Sequence, residues 1–238
     1  MKFFQIVFVY IYIINADPND IFLTHYWPIK CGTMLDEIDG ANMTQGQGSS
    51  TTFVADRFGN ENEALNLNGS WTQMPSGFYF NTPQFSIATW IYPKQLGSWS
   101  RLIYFGNGAY KDNVVFAIGS PTNKPTIQVY SLNTCKMKLY SLQTLTLDKW
   151  QFLSMTYNGT KLTIYIDSVQ IAFDSSYTYQ MPCINRTNNL IGKSNMGGSD
   201  CFSWSYIDDL RFYNTSLNSS QLDEIMNLNT SLCNFESI

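Results

Sequence analysis

Few residues in this chain have types and spacing suited to chemistry. The stretch WSYIDDLRFYN, Trp204 to Asn214, carries two adjacent carboxylates in an alternating run. Its pattern predicts a strand with Tyr206, Leu210 and Phe212 on one face and Ile207, Arg211 and Tyr213 on the other. Asp208 then faces inward with Leu210, and Asp209 faces outward with Arg211 into solvent. A lone inward carboxylate costs several kcal/mol unless a partner satisfies it; Arg57, Arg101 or backbone N–H donors could do so. The run DEIDGAN adds Asp36, Glu37 and Asp39, and FGNGAYKDN clusters Asn107, Asp112 and Asn113, residue types that also build ordinary turns. His25 is the only histidine, beside Tyr26 and Trp27, and reads as structural. No serine or cysteine sits in a Gly-x-Ser-x-Gly elbow, and no glycine-rich phosphate loop precedes a helix.

The elements that must position these groups read as strands almost throughout. FSIATWIYP alternates from Phe85 to Tyr92, and Pro93 is expected to stop it. WQFLSMTYNGTKLTIYIDSVQIAF sets two alternating runs about Asn158-Gly159, the strongest short hairpin signal because both turn residues take positive φ. A further turn at Asp167-Ser168 starts another strand, and Thr44 to Thr51 reads as a loop. Only NSSQLDEIMNLN reads as a helix, capped by Ser219 or Ser220, with Leu222, Ile225 and Met226 on one face. About a dozen strands with one terminal helix predict an all-β, two-sheet antiparallel sandwich or jelly roll.

The composition agrees: 238 residues, 44% hydrophobic, 16% aromatic and only 13% charged. One domain is expected for residues 17–238, with its core at about 22–228. A net charge of -4 with no evident basic patch argues against nucleic acid. Residues 1–16, with Lys2, an apolar run and Ala16, read as a signal peptide, too short to span a membrane. Secretion is therefore expected. Glycan acceptor motifs agree with it, at Asn42, Asn68, Asn158, Asn185, Asn214, Asn218 and Asn229. Five cysteines, Cys31, Cys135, Cys183, Cys201 and Cys233, lack zinc-site spacing and suit disulfides. Their pairing stays open, and the odd number leaves at least one free or joined to another chain.

Six stretches in order resemble the laminin-G-like, concanavalin A-like jelly roll domains of secreted animal proteins. They are HYWPI, DRFGNENEALNLNGSW, FSIATWIYP, WSRLIYFGNGAYKDNVVFAIG, NLIGKSNMGG and YIDDLRFYN. The resemblance implies two curved antiparallel sheets and a binding or adhesion role. It also implies a structural Ca²⁺ between first and last strands, with Asp208 as one ligand and Asp36 or Asp39 among the others. Glucanases of this sandwich carry Glu-Ile-Asp followed shortly by a second Glu. Here Glu37-Ile38-Asp39 runs into Gly40, Ala41 and Asn42, so the second acid is absent and catalysis is not expected. Sugar rings stack on exposed aromatics beside hydrogen-bonding side chains, which makes Trp99, Tyr110, Asn107 and Trp204 the ligand candidates. Trp71 sits near turn residues in the same way, and the family's Trp after Ser-Asn is Met196 here. The expected partner is a glycan or an extracellular protein; a structural role without sugar affinity is the alternative.

Overall fold

The computed structural model describes residues 19–197 and 202–230. Residues 1–16, expected as a signal peptide, lie outside the described residues, as do Cys201 and Cys233. Two antiparallel sheets pack face to face. The first, sheet A, runs β13 (Val169–Asp174), β12 (Leu162–Ile166), β11 (Gln151–Tyr157), β6 (Phe85–Gln95), β15 (Trp204–Tyr213), β4 (Ala64–Asn66) and β3 (Thr52–Val54). The strand β1 (Leu23–Trp27) also pairs with β15. The second, sheet B, runs β10 (Thr134–Tyr140), β9 (Thr126–Ser131), β8 (Val114–Ala117), β7 (Arg101–Gly106), β14 (Asn188–Ile191), β5 (Thr72–Met74) and β2 (Thr44–Gln45). This is the expected jelly roll sandwich. One residue from each alternating pair points between the sheets, so Ile87, Ile91, Phe105, Phe116, Leu153, Ile164 and Phe212 share one core. The helix α1 (Ser219–Met226) lies on the outer face of sheet A. Its Leu222 and Ile225 pack with Leu23, Phe152, Tyr213 and Leu217.

Several local expectations change. Pro93 does not end β6, which continues to Gln95. Pro93 sits opposite Ser205, where the register shifts, and its carbonyl accepts from Asp148 N–H. An irregular pairing tolerates the missing N–H that a central ladder would need. Asn158-Gly159 does make a hairpin, but one with four loop residues between Tyr157 and Leu162. Gly159 alone there takes positive φ, +96°, while the Asn158 side chain accepts from the N–H groups of Thr160 and Lys161. The tight two-residue turn is instead Asp167-Ser168, with φ of +50° and +61°. Helix α1 is capped by Asn218 rather than by either serine. The Asn218 carboxamide oxygen accepts from Gln221 N–H, and the Gln221 side chain accepts from Asn218 N–H. Thr44 and Gln45, read as loop, form the short edge strand β2.

The largest change concerns Asp208. Between Asp208 and Arg211 the pairing of β15 with β6 slips by one residue, and Asp209 takes φ +52°. This bulge inserts an extra residue and inverts the alternation before it. Ile207 therefore points into the core with Leu210 and Phe212, and Asp208 belongs to the outer face, paired opposite Trp90.

Candidate functional site

The expected calcium ligands do not converge. Arg57 donates to Asp208 at 2.6 Å and also lies 2.9 Å from Asp209. Asp209, expected in solvent, is 1% exposed. It accepts from the Tyr26 hydroxyl at 2.6 Å and from Thr230, and lies 3.4 Å from Arg211. Burial raises the Asp208 carboxyl, the charge of Asp209 adds to that, and Arg57 pulls the other way. Burial also works against ionisation of Asp209, but Arg211 and Arg57 outweigh it and hold Asp209 below the usual carboxylate range. Arg57 itself is stacked on Phe58 at 4.4 Å and Trp90 at 4.8 Å. Of the proposed partners for Asp208, the structure thus selects Arg57.

Asp36 is engaged elsewhere. Its carboxylate accepts from His25 Nδ1 at 2.8 Å, Tyr26 N–H at 2.9 Å, Ile38 N–H at 3.1 Å and Ala41 N–H at 3.2 Å. Asp39 is exposed in the same turn, and Glu37 pairs with Lys30. Glu37 and Asp39 lie on a turn rather than a strand, so they do not present the paired geometry of a glucanase strand. Among the described residues no three His, Cys, Asp or Glu side chains are grouped to hold a metal. The donor set does not fit a shared calcium ion, because Asp208 Oδ2 pairs with Arg57 and both Asp36 oxygens accept from His25 and backbone N–H groups.

The aromatic candidates divide in the same way. Trp204 is 39% exposed at the start of β15, with its ring against Gly69, and belongs to sheet A. The Asn107 side chain accepts from Thr187 N–H and hydroxyl and ties β7 to β14. Asn113, buried, donates to Gly108 O and closes the intervening turn, and Asp112 accepts from Ser131. Trp71 packs with Tyr104, Val115, Leu190 and Met196, with Lys193 4.6 Å over its ring. Met196, where the family has tryptophan, is a packing residue.

Trp99 and Tyr110 do fall on one surface, the outer face of sheet B. The register places Tyr104, Val115, Gln128 and Lys138 in one row across the sheet, and Arg101, Ala117, Thr126 and Tyr140 in another. The turn before β7 is closed by hydrogen bonds between Gly97 and Ser100, and Trp99 within it takes φ +59°. A Cβ on Gly119 would come 2.3 Å from Gly97 O, so only glycine lets this turn approach the sheet. The turn holds the Trp99 ring over Arg101, 4.5 Å away, and under Lys138, 5.8 Å away. Lys138 also lies 4.8 Å over Tyr140, and Arg101 donates to Gln128 at 3.2 Å. Tyr110, 41% exposed, meets Tyr130 edge-on at 5.2 Å. Burial lifts the Tyr130 hydroxyl to about 12, with the Cys135 thiol adding and Arg101 opposing. A cation–aromatic strip thus runs across the face through Tyr110, Tyr130, Arg101, Trp99, Lys138 and Tyr140. Such pairs present flat apolar rings beside charged donors.

Of this strip only Trp99 and Tyr110 were legible as ligand residues. A charge count by segment marks the region, though not the members of the strip. Residues 97–147 hold five basic side chains and one acidic one, Asp112, in a chain of net charge -4. They also hold none of the seven glycan acceptor motifs. Those motifs sit elsewhere; Asn42, Asn158, Asn185, Asn214, Asn218 and Asn229 are exposed and Asn68 is half-buried. Among the cysteines, Cys135 and Cys183 are exposed free thiols and Cys31 is disulfide-bonded. Among the described residues no helix is long and apolar enough to cross a membrane.

No curated protein sequence matches the chain. Among solved structures, domain 4 of AbnA, a GH43 extracellular arabinanase from Geobacillus stearothermophilus in complex with arabinotriose, superposes with a TM-score of 0.69. It is 18% identical over 85% of this chain and 97% of that one. The binding domain of Paraclostridial Mosquitocidal Protein 1 gives 0.64 at 14% identity, over 87% of this chain and 52% of that one. A botulinum neurotoxin type C structure, described as dependent on two ganglioside molecules for cell entry, gives 0.64 at 13% identity, over 90% and 52%. The chain spans about half the length of these toxin domains. At such identities the likeness is one of fold, and that fold is shared by binding domains and glycoside hydrolases. A family model, by contrast, matches the sequence itself over residues 66–223, well over half of the chain, and on that ground the protein belongs to the concanavalin A-like lectin/glucanases superfamily, in its laminin G-like branch.

Proposed function

We propose that this chain is an extracellular, non-catalytic binding module whose outer sheet B face takes an acidic glycan. The observation that carries this reading is the cation–aromatic strip from Tyr110 to Tyr140, built by residues 97–147, which hold no glycan acceptor motif. Pyranose rings offer apolar C–H faces for Trp99 and Tyr140, and carboxylate or sulfate groups suit Lys138. Retaining or inverting hydrolysis needs two carboxyl groups flanking the bond, and residues 97–147 contribute only Asp112. Structural neighbours described with arabinotriose and with gangliosides support a saccharide ligand on this fold. Exposed acceptor asparagines support secretion and glycosylation on the remaining surface.

A glycan array carrying sialylated, sulfated and neutral saccharides tests the reading. Sialylated or sulfated spots should bind, equally with and without Ca²⁺, and Trp99→Ala should weaken them by about tenfold, the scale of one lost stacking and cation–π contact. A blank array, or equal binding of neutral saccharides, overturns it. The two exposed thiols, Cys135 and Cys183, favour a second reading, a disulfide-linked structural or adhesion module. Dimers on non-reducing gels together with a blank array would support that one.

A further inference from the structure

The edge of the sandwich beside β1 holds a different site. The His25 ring is clamped between Trp27, stacked at 5.3 Å, and Tyr79 at 4.9 Å. Its Nδ1 meets the Asp36 carboxylate, whose other contacts are three backbone N–H groups. A carboxylate only accepts, so Nδ1 carries a proton toward Asp36, and in a ring with that one proton Nε2 is an acceptor. Among the described residues Nε2 has no hydrogen-bond partner. His25 lines a cavity of about 370 Å³ together with Asp39, Gly40, Ser76, Phe78 and Tyr79, among others. That volume falls within the range of small-ligand sites. A second, smaller cavity of about 110 Å³ is lined by His25 and Phe78 as well, with Thr24 and Asn214.

The lining has a consistent polarity. Asp39 is exposed and makes no ion pair among the described residues, and no lysine or arginine lines the larger cavity. Phe78, 59% exposed, presents an aromatic ring on the cavity lining. Burial together with the charges of Asp36 and Asp39 pushes the Tyr79 hydroxyl up, so both carboxylates act on the cavity wall. Acceptors, negative potential and an aromatic face together select a donor that is positively charged.

We propose that this cavity is a site for an ammonium group, separate from the sheet B face, with N–H donors directed at His25 Nε2 and the Asp39 carboxylate and the Phe78 ring against the carbon chain. The ammonium could belong to a free amine or to a lysine side chain of a partner protein. Because His25 is the only histidine, its ring C–H resonances report on the site alone. The full chain is titrated at about pH 8, above the unperturbed imidazole range, with butylammonium, with 1-butanol as its neutral isostere, and with an end-blocked Gly-Lys-Gly peptide. Butylammonium should give a saturable His25 shift at least about tenfold stronger than butanol, the difference a charge-assisted hydrogen bond and a cation–π contact make. The shift should be lost in Asp39→Asn and in Phe78→Ala, both exposed positions, and kept in Trp99→Ala. A shift with the peptide identifies a protein lysine as an admissible source; none with the peptide confines the site to free amines. Equal response to butanol, no saturable response to butylammonium, or an unchanged response in either cavity variant overturns the proposal.

Discussion

On the outer face of sheet A, helix α1 lays Leu222 and Ile225 over Leu23, Phe152 and Tyr213, and Arg57 closes the remaining gap over Asp208 and Asp209. On the outer face of sheet B no such helix is present among the described residues, and Trp99, Lys138 and Tyr140 reach solvent from a framework of Tyr104, Val115 and Leu190. Both faces use arginine and aromatic rings. On sheet A the guanidinium faces carboxylates on the same chain, so its charge is consumed in holding the sandwich closed. On sheet B the Lys138 ammonium faces rings rather than carboxylates and stays available to an outside anion. The contrast separates residues that stabilise the fold from residues that serve a ligand.

The first way to break this comparison is Arg57→Ala. It leaves Asp208 and Asp209 buried without their shared cation, which costs about 3–5 kcal/mol and lowers Tm by about 6–20 °C in a domain of this size. Thermal unfolding with bound-fraction measurements checks it. Glycan affinity per folded molecule should be unchanged. An unshifted Tm would show that the network is ornamental and that sheet A is held by its apolar contacts alone. Ile225→Ala tests those contacts directly. Removing a fully buried branched side chain from under α1 should cost about 2–4 kcal/mol in denaturant titration, again without loss of binding.

How much of this was legible in sequence depended on whether a feature was local. Alternation in FSIATWIYP and in the β11–β12 hairpin gave the strands and the sandwich, because a period of two is written in adjacent residues. The bulge at Asp209 was not legible. One extra residue leaves the hydrophobic pattern after it intact and inverts the pattern before it, so Ile207 and Asp208 were assigned to each other's faces. Asn218 was missed as the cap because it reads first as a glycan acceptor, although its amide oxygen remains free to accept from Gln221. The sheet B strip joins residues 99, 101, 110, 130, 138 and 140 from separate strands, and no local pattern marks it. Asp36 was visible as a carboxylate, but its pairing with His25 depends on how the turn after β1 folds back.

That turn gives a third, smaller test, on the rim that belongs to neither outer face. His25 and the N–H groups of Tyr26 and Ile38 outweigh the effect of burial and hold the Asp36 carboxyl below its usual range. A carboxyl lowered in the folded state stabilises it fully above the unfolded value, near about pH 3.9, and loses that contribution as pH falls through the folded value. Asp36→Asn should therefore cost about 1–3 kcal/mol at neutral pH, and the loss of stability on acidification should become shallower than in the unsubstituted chain. Tm measured from neutral to about pH 3 reads both effects. Parallel curves for the two proteins would mean that Asp36 contributes nothing through its charge.

The smallest expected effect sharpens the comparison most. Lys138 is exposed on an edge strand, and the β10 backbone is tied independently, since the Tyr177 hydroxyl accepts from Lys138 N–H and donates to Lys138 O. Lys138→Gln keeps the aliphatic packing over Trp99 and Tyr140 and removes only the charge. Stability should change by less than about 0.5 kcal/mol, as for surface positions outside any network. Affinity for a sulfated or sialylated glycan should fall several-fold at low salt, and the deficit should shrink as salt rises, because screening removes from the unsubstituted protein the term the variant already lacks. Equal loss at all salt concentrations would assign Lys138 a packing role, and the division between a closed sheet A face and an open sheet B face would then rest on the aromatic rings alone.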